Sequence, residues 1–464
     1  MNGMGSKDTG TATAAASRRD PGAELDRLAA VAEDVVRRCR ALGASAAEVA
    51  VDEDRGLSVS VRMGEVETIE YTRDRGLALT VYFGQRKGSA STADIESASI
   101  EATIGQACAI ARYTEEDPHA GLADPARMAD PAALPPLDLW HPWELSADDA
   151  IAIGSACEQA GREHDARIAN SDGATVGSSD SLFVYANSHG FTGREFGTGH
   201  SISCSLIAGA GAAMQRDYWW THACAPGDME APEAVGRRAA ERTIARMDPR
   251  PVATGSYPVL FAPEIARTLV GHLVSGVSGG ALYRRASFLV DHAGKQLFPD
   301  WVQIVERPHL RRGNRSAGFD SEGVATVDRA LIRDGVLERY VLGSYSARKL
   351  GLESTANAGG VHNLVVEPGT EDFASLLKGM RRGLVVTELM GQGINMITGD
   401  YSRGAAGFWV ENGEIAYPVD EVTVAGNLRT MFQSIEAIGR DVDTRSHVLV
   451  GSVLLGSMTV AGAG

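Results

Sequence analysis

Gly407-Phe-Trp-Val-Glu-Asn-Gly-Glu-Ile-Ala-Tyr-Pro-Val419 sets an Asn-Gly pair between two runs of bulky apolar residues. Asn-Gly tolerates the two successive left-handed conformations of a tight hairpin turn, so the stretch predicts two antiparallel strands joined at Asn412-Gly413. Asp334-Gly335, between Leu331-Ile-Arg333 and Val336-Leu-Glu-Arg-Tyr-Val-Leu342, repeats the signal. Residues 252–463 therefore read as a β-rich C-terminal domain, interrupted by helices at 263–276 and 371–382. Asp248-Pro-Arg-Pro251 marks its start.

Upstream, the spacing of Leu25, Leu28, Ala32, Val35, Val36, Cys39 and Leu42 predicts an amphipathic helix over 24–42, stopped at Gly43. Runs at 57–63, 66–71 and 77–83, parted by Gly64-Glu65 and Asp74-Arg75-Gly76, read as a three-strand meander, and a helix over 94–113 completes an N-terminal α+β domain, 23–113. Six prolines between Glu115 and Pro142 place a linker at 114–140. The middle domain, 141–247, opens on the helix start Ser146-Ala-Asp-Asp149 and adds strands at 166–170, 181–187 and 200–208 and a helix at 231–247. The fold class is α+β: a helix-plus-meander unit, an α+β unit and a β-rich domain with a few helices.

Composition narrows the function. Lys and Arg number 44 and Asp and Glu 60, a formal charge of −16 that disfavours nucleic acid and anionic membranes as partners. Glycine, at 53 of 464, exceeds its usual ~7 per cent, which favours tight turns and close backbone approaches. The five cysteines are widely spaced and contain no Cys-x-x-Cys, so neither a disulfide framework nor a zinc ribbon is supported. Residues 1–22 lack the apolar stretch of a secretory leader and read as a flexible tail. The apolar run 448–464 is short for a membrane span and is broken by Ser, Thr and Gly. A cytoplasmic protein is the expectation.

Most chemical motifs fail on inspection. No Gly-x4-Gly-Lys-Ser/Thr occurs, and Gly391-Gln-Gly393 has Met396 where a dinucleotide fingerprint needs its third glycine. Gly276-Val-Ser278-Gly-Gly280 matches Gly-x-Ser-x-Gly, but a helix precedes the serine where a nucleophile elbow requires a strand. The nearest histidines, His189 and His200, are too far apart in sequence to share a helical turn as zinc-peptidase motifs do. His222-Ala-Cys224 is the one close His/Cys pair, beside the aromatic run Tyr218-Trp219-Trp220; an ordinary buried thiol explains it. His272 falls on the apolar face of the 263–276 helix, as a core histidine would. Glu264 lies about 12 Å from it along the axis, too far for one shared ion. Arg311-Arg312-Gly-Asn-Arg315 reads as a solvated loop.

The C-terminal sequence closely resembles the TldD/TldE (PmbA) family, specifically its TldE, or PmbA, branch. The carrying runs are Tyr257-Pro-Val-Leu-Phe-Ala-Pro-Glu-Ile-Ala-Arg267, Gly276-Val-Ser-Gly-Gly-Ala281, Phe319-Asp-Ser-Glu-Gly323, Ser344-Tyr-Ser-Ala-Arg-Lys-Leu-Gly351, Val385-Val-Thr-Glu-Leu-Met-Gly-Gln-Gly393 and Ile397-Thr-Gly-Asp-Tyr-Ser-Arg-Gly-Ala-Ala-Gly-Phe-Trp-Val-Glu-Asn-Gly-Glu-Ile415. The resemblance implies a heterodimeric metalloprotease, formed with a TldD-type subunit, that cuts unfolded peptides in peptide maturation and degradation. TldD-type subunits carry His-Glu-x-x-x-His on a helix and a further cysteine ligand near the C-terminus. Here Ala262 and Arg267 stand at the histidine positions, Pro263 stands at the glutamate, and no cysteine follows Cys224. The expectation is a subunit without catalytic residues or cofactor of its own, the zinc lying in the partner. Unfolded peptides are well held as an added strand, and Gly391, Gln392, Gly393, Asp400, Tyr401, Ser402 and Arg403 are the candidate substrate or partner contacts. The plainer alternative makes them hairpin turns, with Asp400 and Arg403 paired on the surface. Two other readings stay open: a peptidase active alone through His222, Cys224 and His272, and a homo-oligomeric module, in the simplest case a homodimer, that binds peptides without cutting.

Overall fold

The computed structural model describes residues 20–462, so the expected tail lies outside the described residues except at its end. There Asp20 caps a helix, accepting from the Gly22 amide at 2.9 Å, and Pro21 takes a first-turn position where no N–H is needed. That helix, α1 (Pro21–Ala41), buries Leu25, Leu28, Ala32, Val35, Val36 and Cys39, as the spacing predicts.

The meander is two strands before it is three. After β1 (Ala46–Arg62), β2 (Glu65–Phe83) runs unbroken through Asp74-Arg75-Gly76, which pairs with Asp54, Glu53 and Asp52 of β1. Arg75, one of the charges that imitate a turn, belongs to an ionic cluster on the strand pair. Glu53, fully buried, collects Arg55 at 2.8 Å, Arg27 at 2.9 Å and Arg75 at 3.2 Å. β3 (Arg86–Thr92) and α2 (Ser97–Tyr113) follow. Next, α3 (Ala147–Arg162) opens with a complete capping box between Ser146 and Asp149. β4 (Ile168–Asn187) is again one strand where the sequence suggests two, because β1 and β5 (Thr192–Ala208) satisfy its polar central stretch from both sides. β6 (Gln215–Ala223) and α4 (Pro232–Ala245) finish this half.

A single antiparallel sheet, ordered β3-β2-β1-β4-β5-β6, runs through both the 23–113 and 141–247 ranges. The seam is the long β1–β4 pairing, from Glu48 opposite Asn187 to Val61 opposite Ala174. Residues 114–140 are irregular but anchored. Arg348 donates to the carbonyls of His119 and Gly121 at 3.0 Å, and Met128 bridges to Val324.

The C-terminal half closes a sheet on itself. β7 (Gly255–Phe261) pairs with the strands Gly383–Met390 and Val453–Ala461. Asp400–Glu411 pairs with Gly383–Met390 and with Glu414–Asn427, which reaches Val453–Ala461. Five strands thus form a ring with no open edge among them. The apolar run near the C-terminus is one of these enclosed strands; among the described residues, no helix is long and apolar enough to cross a membrane. Helix α5 (Pro263–Val277) leaves the end of β7 and buries Ala266, Leu269, Val270, Leu273 and Val277 in the same core as Phe261 and Trp409.

The hairpin turns where expected. Asn412 and Gly413 have φ of 53° and 79°, and Asp334 and Gly335 have 50° and 72°. A Cβ on Gly413 would also sit 2.8 Å from the Lys378 backbone. Gly413→Ala is therefore expected to destabilise the chain by roughly 1–2 kcal/mol, read as a lowered denaturation midpoint at unchanged slope.

Candidate functional site

A cleft of about 830 Å³ opens where β6 and α4 face the start of α5. The missing motif stands here: Ala262 and Pro263 line the cleft beside Glu264. Its opposite wall comes from the barrel, through Val385, Thr387, Phe408 and the segment Ile415-Ala-Tyr-Pro418, and from Asp441-Val-Asp-Thr-Arg445. Local sequence explains each wall. Pro263 starts a helix, the Asn-Gly turn presents Ile415 just beyond it, and strand alternation turns Trp219 to this side of β6.

Arginines and carboxylates occupy the floor in matched sets. Arg242 donates to Glu264 at 2.6 Å and to Asp217 at 3.3 Å, and its guanidinium lies 5.3 Å from the Trp219 ring. Burial works against the charge on Arg242, but Asp217 and Glu264 more than offset it, so its pKa is raised. Arg246 joins the set through Asp217 at 3.7 Å and an ion pair to Glu388. Arg445 lies 3.8 and 4.0 Å from the Trp219 and Trp220 ring centroids, while its Nε donates to Asp443 at 2.8 Å. Arg267 stands 5.7 Å from the Trp220 ring.

This donor set does not fit a zinc ion. Zinc needs three or four nitrogen, sulfur or carboxylate ligands; Ala262 and Pro263 offer none, and a guanidinium keeps its proton and its charge. Glu264, Asp217 and Asp443 are each already held by arginine. Among the described residues, no group of three or more His, Cys, Asp or Glu is arranged to hold a metal. What the cleft can do is bind: it offers an apolar and aromatic wall with fixed charges of both signs at its base.

The chain is similar along nearly its whole length to proteins named as metalloproteases. Residues 254–462 match the family model described as the PmbA/TldA metallopeptidase C-terminal domain, 140–247 its central domain and 47–111 its domain 1. Metalloprotease PmbA of Escherichia coli O157:H7 is 50% identical over 416 residues, 90% of this chain and 92% of that protein. The chain belongs to the PmbA/TldD metallopeptidase family. The Haemophilus influenzae PmbA homolog is 45% identical over 90% of this chain and 93% of its own. Among solved structures, a candidate modulator of DNA gyrase from Bacteroides thetaiotaomicron superposes with a TM-score of 0.89 at 29% identity, covering 94% of this chain and 99% of that one. TldE from Thermococcus kodakarensis shares the fold, with a TM-score of 0.82 at 21% identity over 93% of this chain and all of its own.

The contacts expected at 391–403 lie elsewhere: Gly391, Gln392 and Gly393 are in a hairpin outside the closed ring, and Asp400, Tyr401, Ser402 and Arg403 open the ring strand Asp400–Glu411. Ile394–Asn395 forms a two-residue strand paired only with Asp400–Glu411. Gly391, Gln392 and Gly393 are exposed, and Gly393 is required because a Cβ would lie 1.7 Å from the Ser402 carbonyl. Asp400 and Arg403 do not pair. Asp400 accepts from Thr398 at 2.6 Å and Asn427 at 3.1 Å, and Arg403 donates to the Leu389 carbonyl at 3.4 Å. Ser402 is exposed, but Tyr401 is buried, edge-on to His272 at 6.0 Å. His272 is half-buried, its pKa lowered by burial and by Arg403 and its Nε2 without a hydrogen-bond partner, while His222 and Cys224 line a separate cavity. The basic loop is held more firmly than its sequence suggests, with Arg311 and Arg312 on Asp138 at 3.0 and 2.9 Å. All five cysteines are buried free thiols.

Sequence reading weighed Glu264 only as a metal ligand and did not bring the cleft's charged residues together. Arg242, Asp217, Glu264 and Arg445 come from four distant segments, so no local spacing joins them. Only Tyr218-Trp219-Trp220 carried a signal, since two adjacent tryptophans on one strand cannot both face a core.

Proposed function

We propose that this chain is the TldE/PmbA-type, zinc-free subunit of a cytoplasmic TldD/TldE-type metalloprotease, and that its cleft holds unfolded peptide while a TldD-type partner supplies zinc and bond cleavage. The observation that carries this reading is the position of the cleft. Its apolar and aromatic lining meets Ala262 and Pro263, where the family resemblance places metal-binding chemistry in the partner type. Binding is kept and the ligands are absent. The glycine hairpin at 391–403, with Met390 and Ile397 37% and 63% exposed, supplies an apolar tip and a short strand edge suited to meeting the partner subunit or the peptide backbone.

The test uses the purified full chain, alone and with a TldD-type subunit carrying His-Glu-x-x-x-His. Alone it is expected to contain no stoichiometric zinc and to cleave no unfolded peptide; together the pair is expected to cleave, and chelation to abolish the activity. One zinc per chain, with chelator-sensitive activity in the absence of a partner, would refute the reading. Peptide binding that the partner leaves unchanged, with no cleavage, would favour the homo-oligomeric binding module.

A further inference from the structure

A second space lies between the sheet and the C-terminal domain, away from the Ala262 cleft. Two cavities, of about 360 and 230 Å³, share Phe183, Glu195, Asn314 and Ser316 as walls. Phe183 and Glu195 are directly opposed on β4 and β5, and the facing wall contributes Asp320 and His362.

The two carboxylates differ in their partners. Asp320, 2% exposed, accepts from the backbone amides of Glu322 and Val324 at 2.9 and 3.0 Å and of Ala358 at 3.0 Å. Its role is to hold that loop. Glu195 has no such support: its Oε1 is buried without a hydrogen-bond partner, and among the described residues no lysine or arginine pairs with it. Arg315, on the same wall, donates instead to the Gly359 carbonyl at 3.2 Å. Burial, with the nearby Asp320 charge, pushes the Glu195 carboxyl up to about 7. His362 is an independent second vacancy in the hydrogen bonding. It is 8% exposed, lines the same space, and its Nε2 also has no partner.

An unmade hydrogen bond on a buried carboxylate is unfavourable, and a ligand that supplies it is bound for that reason. We propose that this chamber binds a primary ammonium group, with Glu195 as its acceptor and the His362 ring nitrogen available to an adjacent peptide carbonyl. A peptide's amino terminus presents both groups one residue apart, and a lysine side chain presents the first. The inference rests on the peptide-binding reading above and extends it to how one end of the guest is recognised.

The test is calorimetric titration of the full-length chain at about pH 7.5, where an α-ammonium is still substantially protonated. The probes are one short unstructured lysine-free peptide with a free amino terminus, its N-acetylated form, and the acetylated form carrying a single lysine. The free amine is expected to bind about tenfold more tightly than the acetylated form, and Glu195→Gln to remove the difference while leaving the thermal transition in place. If the acetylated lysine peptide matches the free amine, the ammonium comes from a side chain. Equal binding of all three by the unaltered chain overturns this inference and leaves the peptide-binding reading standing, with no dependence on any variant's folding. Persistence of the preference in a folded Glu195→Gln chain also overturns it. Failure of every peptide to bind overturns both.

Discussion

Replacing Arg242 with alanine is expected to destabilise the chain by about 3–5 kcal/mol. The guanidinium is 18% exposed and links Asp217 on β6 to Glu264 at the start of α5, whose side chains are 6% and 9% exposed. Removing it strands two buried carboxylates with Arg246, 3.7 Å from Asp217, as the remaining cation of the set. The loss therefore reflects uncompensated burial more than the strength of two ion pairs. Denaturant unfolding followed separately by near-ultraviolet and far-ultraviolet signals would measure it. The companion double variant Arg242→Leu with Glu264→Leu is expected to recover part of the loss, because one charge of each sign is then removed together and apolar packing replaces them. A single variant within about 0.5 kcal/mol of the unaltered chain, the range of ordinary surface substitutions, would show that this set is solvated and does not join the two halves.

Ile415→Asp is expected to raise the KM of the assembled protease for unfolded peptide about tenfold with little change in kcat. Ile415 is 47% exposed and lines the cleft one turn past Asn412-Gly413. Covering an aliphatic side chain of this kind with peptide is worth roughly 1–2 kcal/mol, and 1.4 kcal/mol is a factor of ten in affinity. An apolar contact of this kind is made equally in the bound and reacting states, so KM carries the effect. Tyr113→Asp is the control: Tyr113 is 92% exposed at the end of α2 and lies outside the cleft, so KM should not move. Equal effects of both substitutions, or none from Ile415→Asp, would remove the cleft from substrate capture.

Much of the fold was legible because local chemistry and final structure agreed. Asn412-Gly413 turned as the residues require, the Ser146/Asp149 box capped α3, and the α1 stripe became a core face. The failures share a cause. Asp74-Arg75-Gly76 reads as a turn because its residues favour water, yet Glu53 gives Arg75 and the neighbouring Arg73 a partner across the strand pair, and β1 pairs with the stretch along its length. Likewise, the serine-rich centre of β4 is held as strand by hydrogen bonds from both neighbours, which no window of sequence contains.

The same division applies to the site. Sequence by itself determined which side chains stand where the resemblance places the motif, Ala262, Pro263 and Arg267, with no cysteine after Cys224, since side-chain chemistry is fixed before folding. It also determined the glycines, whose conformational freedom is a property of the residue. Tertiary structure alone decided that Ala262 and Pro263 line a large cleft, that Arg242 and Arg445 hold its carboxylates, and that Glu195 and His362 share a chamber with unmet hydrogen bonds. The cleft and the chamber each join residues more than a hundred positions apart, and Arg242 reaches carboxylates 25 and 22 positions away on other elements. Their energies depend on burial and on partners that only the folded chain brings within reach.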